Sequence, residues 1–230
     1  MRPVTKYLEQ IRKIERRKHH PLIHKVHKQY HISRKTLFYI KEYGEHSNVI
    51  KTILKESIKI LLFASIISSV GGFALEYIKT IFLSFIPLII LMPVLNDLIG
   101  NYGTIISARF STLLHENKVR KVWHNNEITK LFLQILLIAS STAVISTIIA
   151  FFISSLSGYK PTSIIITKIL LISLINVVLL VTVIFIVAII AGLHFYKKKE
   201  DPNNFLIPIT TSVADFGNMI ILSLLVVLFF

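Results

Sequence analysis

Two carboxylates sit where the chain is otherwise apolar, and their neighbourhoods are alike. Asp97 stands in Pro93-Val94-Leu95-Asn96-Asp97-Leu98-Ile99-Gly100-Asn101, and Asp215 in Pro208-Ile209-Thr210-Thr211-Ser212-Val213-Ala214-Asp215-Phe216-Gly217-Asn218. Both read Pro, then Asp, then Gly-Asn. Proline removes a donor and frees a carbonyl four residues earlier, while glycine lets another backbone or an ion come close. A lining made only of oxygens, from carboxylate, amide, hydroxyl and carbonyl, suits a hard cation such as Mg²⁺, Ca²⁺ or Mn²⁺; soft metals prefer sulfur. Mg²⁺ gives up its water reluctantly, so one or two acids touching a largely hydrated ion are enough. Asp215, Asp97, Asn101, Thr211 and Asn218 are the candidate metal-facing residues of these two segments. Two copies meeting with Asp215 facing Asp215 would match the charge of a divalent ion. The competing reading is a proton-carrying or structural acid paired with Lys or Arg, although no basic residue lies near Asp215 in its own segment.

The elements that must position these acids are membrane spans. The chain has 230 residues, 53% of them hydrophobic and only 17% charged, with a mean hydropathy of +0.66. A soluble domain of this size does not need so much apolar material. With about 1.5 Å of rise per residue and a hydrocarbon core of about 30 Å, roughly 20 apolar residues make a crossing. Five segments qualify, at about Ser57 to Tyr77, Phe82 to Leu114, Ile128 to Leu156, Ser163 to Phe195 and Phe205 to Phe230. The expected fold is all-α and polytopic, with a basic helical head over residues 1–56 and a five-helix membrane domain over 57–230. The second span exceeds what a crossing requires and holds Pro93, Asp97, Gly100 and Gly103, so a break or kink is expected there.

An Asp at mid-membrane costs roughly 2.5 to 3.5 kcal/mol on the insertion scale, so such residues face protein or water and are functional suspects by default. Asp215 lies about ten residues, or roughly 15 Å, into the last span if that helix begins near Phe205. Asp97 reaches a similar depth if the second span begins near Phe82. These two spans run in opposite directions, a hint of an inverted repeat with its site at the midplane. Ala64, Ser68 and Gly72 in the first span, and Ala139, Ala143 and Thr147 in the third, recur every four residues. Lipid gives helices no hydrophobic reason to associate, so such small-residue faces are expected to pack on other helices.

Basic residues set the orientation. Met1 to Lys59 holds 15 Lys and Arg against 5 Asp and Glu, and further clusters follow the second span (Lys118, Arg120, Lys121) and the fourth (Lys197, Lys198, Lys199). The first and third connections have only Lys79 and Lys160 nearby. The N-terminus is therefore expected in the cytoplasm and, after five spans, the C-terminus outside the cell membrane. Pro21 starts a short amphipathic helix through Leu22, Val26 and Tyr30; another, capped by Ser47, runs unbroken into the first span. His20, His24, His27 and His31 could share one helical face, but the nearby Lys and Arg repel a cation, and an interfacial helix on anionic lipid is the commoner meaning. Nucleic acid is not an expected partner, since no recognised binding motif accompanies the charge. The absence of cysteine excludes disulfides, Cys-ligated zinc, iron–sulfur clusters and thiol chemistry. No Walker-type loop, HExxH or nucleophile elbow is present, so the chain does not read as an enzyme. A non-transporting assembly subunit, or a lipid-modifying membrane enzyme, would be the other classes to weigh; the sparse acids argue against the second.

Pro93 through Thr112, with Gly100-Asn101, Ser107, Arg109, Ser111 and Thr112, resembles the first signature of the MgtE-type magnesium transporters, especially their relatives in solute carrier family 41. Asp201-Pro202-Asn203-Asn204, followed by Ile207-Pro208-Ile209-Thr210-Thr211-Ser212 and Asp215, resembles the second. The resemblance covers about Ser57 to Phe230. It implies a homodimer with the second and fifth spans lining a pore on the two-fold axis, and Mg²⁺ or another divalent cation as the transported ion. Its membrane-centre acid falls on Asp215 and its loop acid, near the cytoplasmic mouth, on Asp201; Gly100-Asn101 would border the pore. Asp97 departs from the pattern, which usually has a small or apolar residue there. The large acidic sensor and tandem regulatory module of the bacterial type do not fit in about fifty-five basic residues.

Overall fold

In the computed structural model the described residues are 21–31, 49–116, 118–119, 126–198 and 201–230. They form six helices and no strands: α1 (Pro21–Tyr30), α2 (Val49–Ser84), α3 (Ile86–His115), α4 (Asn126–Leu156), α5 (Ser163–Lys197) and α6 (Pro202–Phe229). Five of them, α2 to α6, are long and apolar enough to cross a membrane. The expected five spans are therefore all present; four are somewhat longer than the sequence pattern suggested, and the second is slightly shorter.

The boundaries shift for local reasons. α2 runs on from Tyr77 to Ser84, and the chain turns at Phe85, whose backbone is extended (φ −123°, ψ 91°). Pro87 stands in the first turn of α3, where a missing N–H costs nothing, so the second span begins at Ile86 rather than near Phe82. α3 is not broken: the helix is continuous through Pro93 to His115. Proline there deletes a single ladder bond, and Pro93 itself lies exposed on a groove rather than wedged between helices. α2 also continues from Val49 into the span without interruption, as expected, so residue 57 falls inside one helix.

The core is the mutual packing of α3, α4, α5 and α6, with Leu95, Ile99, Ile106, Ile172, Val181, Ile184 and Leu206 almost wholly enclosed. α6 touches α2, α3 and α5, and α2 packs chiefly on α6. Large apolar side chains on the outside, such as Phe73, Tyr77, Phe152 and Leu228, are exposed, which is the arrangement expected where lipid rather than water surrounds the bundle. Cross-helix contacts fix directions. Asn96 meets Asp215 while Ser107 meets Thr210, so α3 and α6 run antiparallel; Ser68 meets Asp215 while Gly71 meets Met219, so α2 and α6 run parallel. Both results fit an odd number of alternating spans.

Small-residue faces do pack, with one change of residue. Ala139, Ala143 and Thr147 are fully buried on α4. On α2, Ala64 is buried, but Gly72 is open and Gly71 makes the contact: a Cβ there would meet the sulfur of Met219 at 2.9 Å. One residue is about 100° of helix rotation, enough to exchange a lipid-facing position for an interhelical one. At the other end of the bundle, Lys168 of α5 is satisfied by the Phe229 carbonyl (2.6 Å) and lies over the Phe230 ring. Of the four-histidine face, His20 lies outside the described residues and only His24 and His27 fall within α1; His31 follows its end with φ +56°, so it does not continue the helical row. Residues 1–20 and 32–48 of the basic head lie outside the described residues.

Candidate ion site

Asp215 is the fourteenth of the 28 residues of α6, so it stands at the middle of the helix. Proline at Pro208 would be costly in a soluble helix, yet α6 continues through it, and the hydroxyls of Thr210, Thr211 and Ser212 bond back to the carbonyls of Leu206, Ile207 and Pro208. Those bonds use the hydroxyl protons internally and leave oxygen lone pairs free to face outward. Thr210 is buried and pairs with Ser107 across the contact with α3 (3.0 Å), where Gly103 allows the two helices to approach. Thr211, one residue on, turns toward the opposite face.

That face is a half-open groove of about 480 Å³ between α3 and α6. Asp215, Asp97, Asn101 and Thr211 line it, together with Asn96, Gly100 and Thr104. Four of the six candidate metal-facing residues therefore converge. Gly100 has nothing within 4 Å of where a Cβ would sit, so the groove is open at the Gly100-Asn101 pair. Two residues contradict the expectation of an oxygen-only lining. Met92 and Met219 also form part of the wall, Met219 one helical turn beyond Asp215 and Met92 five residues before Asp97, and the Met219 sulfur rests against Gly71.

The two acids are held differently. Asp215 is half-buried; Asn96 donates from Nδ2 to its Oδ1 at 2.7 Å, and the Ser68 hydroxyl points at its Oδ2 from 3.4 Å. Asp97 is exposed in the groove and accepts one bond, from Asn101 of its own helix (3.0 Å). Salt bridges among the described residues involve Glu76, Glu116 and Asp201, and none reaches Asp215. The carboxylate thus opens on the groove and is not ion-paired among the described residues. Among the described residues no three His, Asp or Glu side chains gather into a dehydrating metal cage.

Asn218 and Asp201 do not line the groove. Asn218 is fully buried behind Asp215; its Nδ2 donates to Asn96 Oδ1 (3.2 Å), and its Oδ1 accepts from Asn176 Nδ2 (2.6 Å). Asp201 caps α6, accepting from the Asn203 N–H at 3.0 Å, with His115 Nε2 at 4.0 Å. Fourteen residues separate it from Asp215, or about 21 Å of helix, so the two acids lie at different depths. Sequence reading passed over Asn96 and Asn176 as site residues. Asn176 carried a usable signal, being the lone carboxamide in the most apolar of the five spans, where a polar group must find a partner.

Five helices long and apolar enough to cross a membrane, with a groove between α3 and α6 lined by carboxylate, amide, hydroxyl and thioether groups, mark a polytopic membrane protein. The family model for the MgtE divalent cation transporters matches residues 92–225, well over half of the chain and all of α3 from Met92 onward. The chain belongs to that family, and with it to the transporters of divalent cations rather than to the enzymes. Neither the curated proteins nor the solved structures contain a match.

Proposed function

We propose that the chain carries hydrated Mg²⁺ across a cell membrane through a pathway centred on Asp215, with two copies meeting across the open side of the groove. The observation that carries the reading is a carboxylate midway along an apolar, span-length helix that opens on a groove and has no cationic partner among the described residues. An unpaired acid at that depth is costly, and a divalent ion offsets the cost. Six waters at about 30 Å³ each fill roughly 180 Å³, so a fully hydrated octahedral ion fits a groove of about 480 Å³ without shedding its shell. Asp215 and Asp97 then act on the ion through water, with Asn101 and Thr211 as further oxygen ligands. A second copy closes the open side and doubles the charge. Asp201, at the N-terminus of α6, marks the cytoplasmic entrance in the orientation that the basic clusters favour.

The test is uptake by proteoliposomes holding the purified full chain alone. Mg²⁺, Ca²⁺, Mn²⁺, Co²⁺ and Zn²⁺ are compared, with and without a sodium gradient, beside Asp215→Asn. Mg²⁺ uptake that Asp215→Asn abolishes is the expected result. Uptake that survives the substitution removes the site. A preference for Co²⁺ or Zn²⁺ would instead give the two thioethers of the groove wall a direct part in selection.

A further inference from the structure

We infer that Asn176, Asn218 and Asn96 form a one-way hydrogen-bonded relay that positions the Asp215 carboxylate, making Asn176, a residue of α5 outside the groove, a positioning residue for the ion; this rests on the Asp215 site proposed above. The relay joins three helices. Asn176 Nδ2 donates to Asn218 Oδ1 at 2.6 Å, Asn218 Nδ2 to Asn96 Oδ1 at 3.2 Å, and Asn96 Nδ2 to Asp215 Oδ1 at 2.7 Å. Its direction is forced from the groove end. An ionised carboxylate only accepts, so Asn96 must present its amide nitrogen to Asp215 and its oxygen to Asn218. Asn218 must then offer nitrogen to Asn96 and oxygen to Asn176. The mismatch is passed to the far end, where Asn176 Oδ1 is buried without a partner.

That stranded oxygen shows what Asn176 is for. An apolar side chain of similar size at position 176 would remove one unpaired acceptor, Asn176 Oδ1, and create another, Asn218 Oδ1. The count of unsatisfied groups would not change, so satisfaction of buried polar groups does not account for the residue. What Asn176 supplies is a hold on the direction that Asp215 sets. Its donor fixes the Asn218 carboxamide against reversal, Asn218 fixes Asn96, and Asn96 holds Asp215 Oδ1, leaving Oδ2 as the oxygen turned free. Among the described residues the hydrogen bond to Oδ2 is the long one from Ser68, at 3.4 Å, which the water shell of an ion displaces at little cost. A carboxylate fixed through one oxygen and open at the other meets each arriving ion in the same pose, and chains of amides polarise one another in a low-dielectric interior.

The experiment is Mg²⁺ uptake and thermal unfolding of the full chain in lipid, for Asn176→Leu, Asn176→Gln and Asp215→Asn against the native protein. The expected result is that Asn176→Leu raises KM for Mg²⁺ by about three- to tenfold and leaves the unfolding midpoint and the maximal rate nearly unchanged, while Asn176→Gln, which keeps the donor, recovers much of the native KM. Asn176→Ala serves where Leu does not fit. An unchanged KM in every folded variant overturns the relay, as does a loss of rate that only tracks loss of folded protein. Spectroscopy gives an independent reading: Mg²⁺ added to protein labelled with ¹³C-asparagine must shift side-chain carbonyl bands along with the carboxylate band, and Asn176→Leu must remove part of that shift, the rest belonging to Asn101 in the groove. A shift that Asn176→Leu leaves unchanged also overturns the relay. If Asp215→Asn transports like the native chain, the site itself fails; if it abolishes uptake while Asn176→Leu is silent, only the relay falls.

Discussion

Asp215 and Asp97 line one groove from facing helices, yet only the first is built into the protein. Asp215 draws its support from α3 and α2 and, through Asn218 and Asn176, from deep in the bundle. Asp97 is exposed and braced only by Asn101, four residues along the same helix. A group held from several elements keeps its position when one neighbour moves; a group held from its own helix moves with its rotamer. Two carboxylates at one site can therefore do different work, one as the fixed point on which an ion rests and the other as adjustable charge that raises the local cation concentration.

The largest expected effect breaks that pair apart. Asp215→Asn should lower Mg²⁺ uptake by more than about tenfold, because removal of an interaction with a hydrogen-bonded buried charge is worth at least about 1.4 kcal/mol. Asp97→Asn should raise KM by only about two- to threefold at unchanged maximal rate, since an exposed charge is screened. Initial rates over a range of Mg²⁺ and at two ionic strengths decide the matter. Equal losses for the two variants would mean that depth and bracing do not distinguish the acids. A salt-sensitive effect at Asp97 beside a salt-insensitive one at Asp215 would sharpen the distinction.

A second contrast lies three residues apart on α3. Gly103 faces α6, and an added Cβ would stand 3.2 Å from Thr210 Cβ; Gly100 faces the groove and meets nothing. Gly103→Ala must push the helices apart and strain the Ser107 to Thr210 contact, so it should destabilise by about 1 to 3 kcal/mol, read as an earlier thermal unfolding midpoint in lipid. Gly100→Ala should leave the midpoint unchanged or raise it slightly, by the usual preference of about 0.8 to 1 kcal/mol for Ala over Gly in a helix. Its methyl group enters the groove, so a modest fall in uptake without loss of stability is its signature. A stable Gly103→Ala would show that α3 and α6 are free to separate.

The spans were legible because a bilayer imposes a length and a composition that survive in any window of about 20 residues. Asp215 was legible for the same reason, as a charge where the rule forbids one. Rotation about a helix axis is not written so plainly. Gly72 fell on the expected packing stripe of α2, but the neighbour that decides the matter is Met219, more than a hundred residues on, and it selects Gly71. Asn218 was expected in the site, yet α6 turns it inward to Asn176, and no pattern within one span reveals a bond between carboxamides of two. Met92 and Met219 show the same gap: an oxygen-rich motif says which groups are available, while the facing of the helices decides what else lines the wall.

Ser68 offers the smallest effect and the finest test of how Asp215 is held. Its hydroxyl reaches Oδ2 at 3.4 Å, beyond the usual range for an O–H···O bond, whereas Asn96 reaches Oδ1 at 2.7 Å. If Oδ1 is the anchored oxygen and Oδ2 the working one, Ser68→Ala should change KM for Mg²⁺ by no more than about twofold, in either direction, with the unfolding midpoint preserved. Asn96→Leu, which frees the anchored oxygen, should cost several times more. Concentration series for the two variants in one liposome preparation compare them directly. A larger loss from Ser68→Ala than from Asn96→Leu would exchange the roles of the two oxygens and place α2, rather than α3, as the element that fixes the carboxylate.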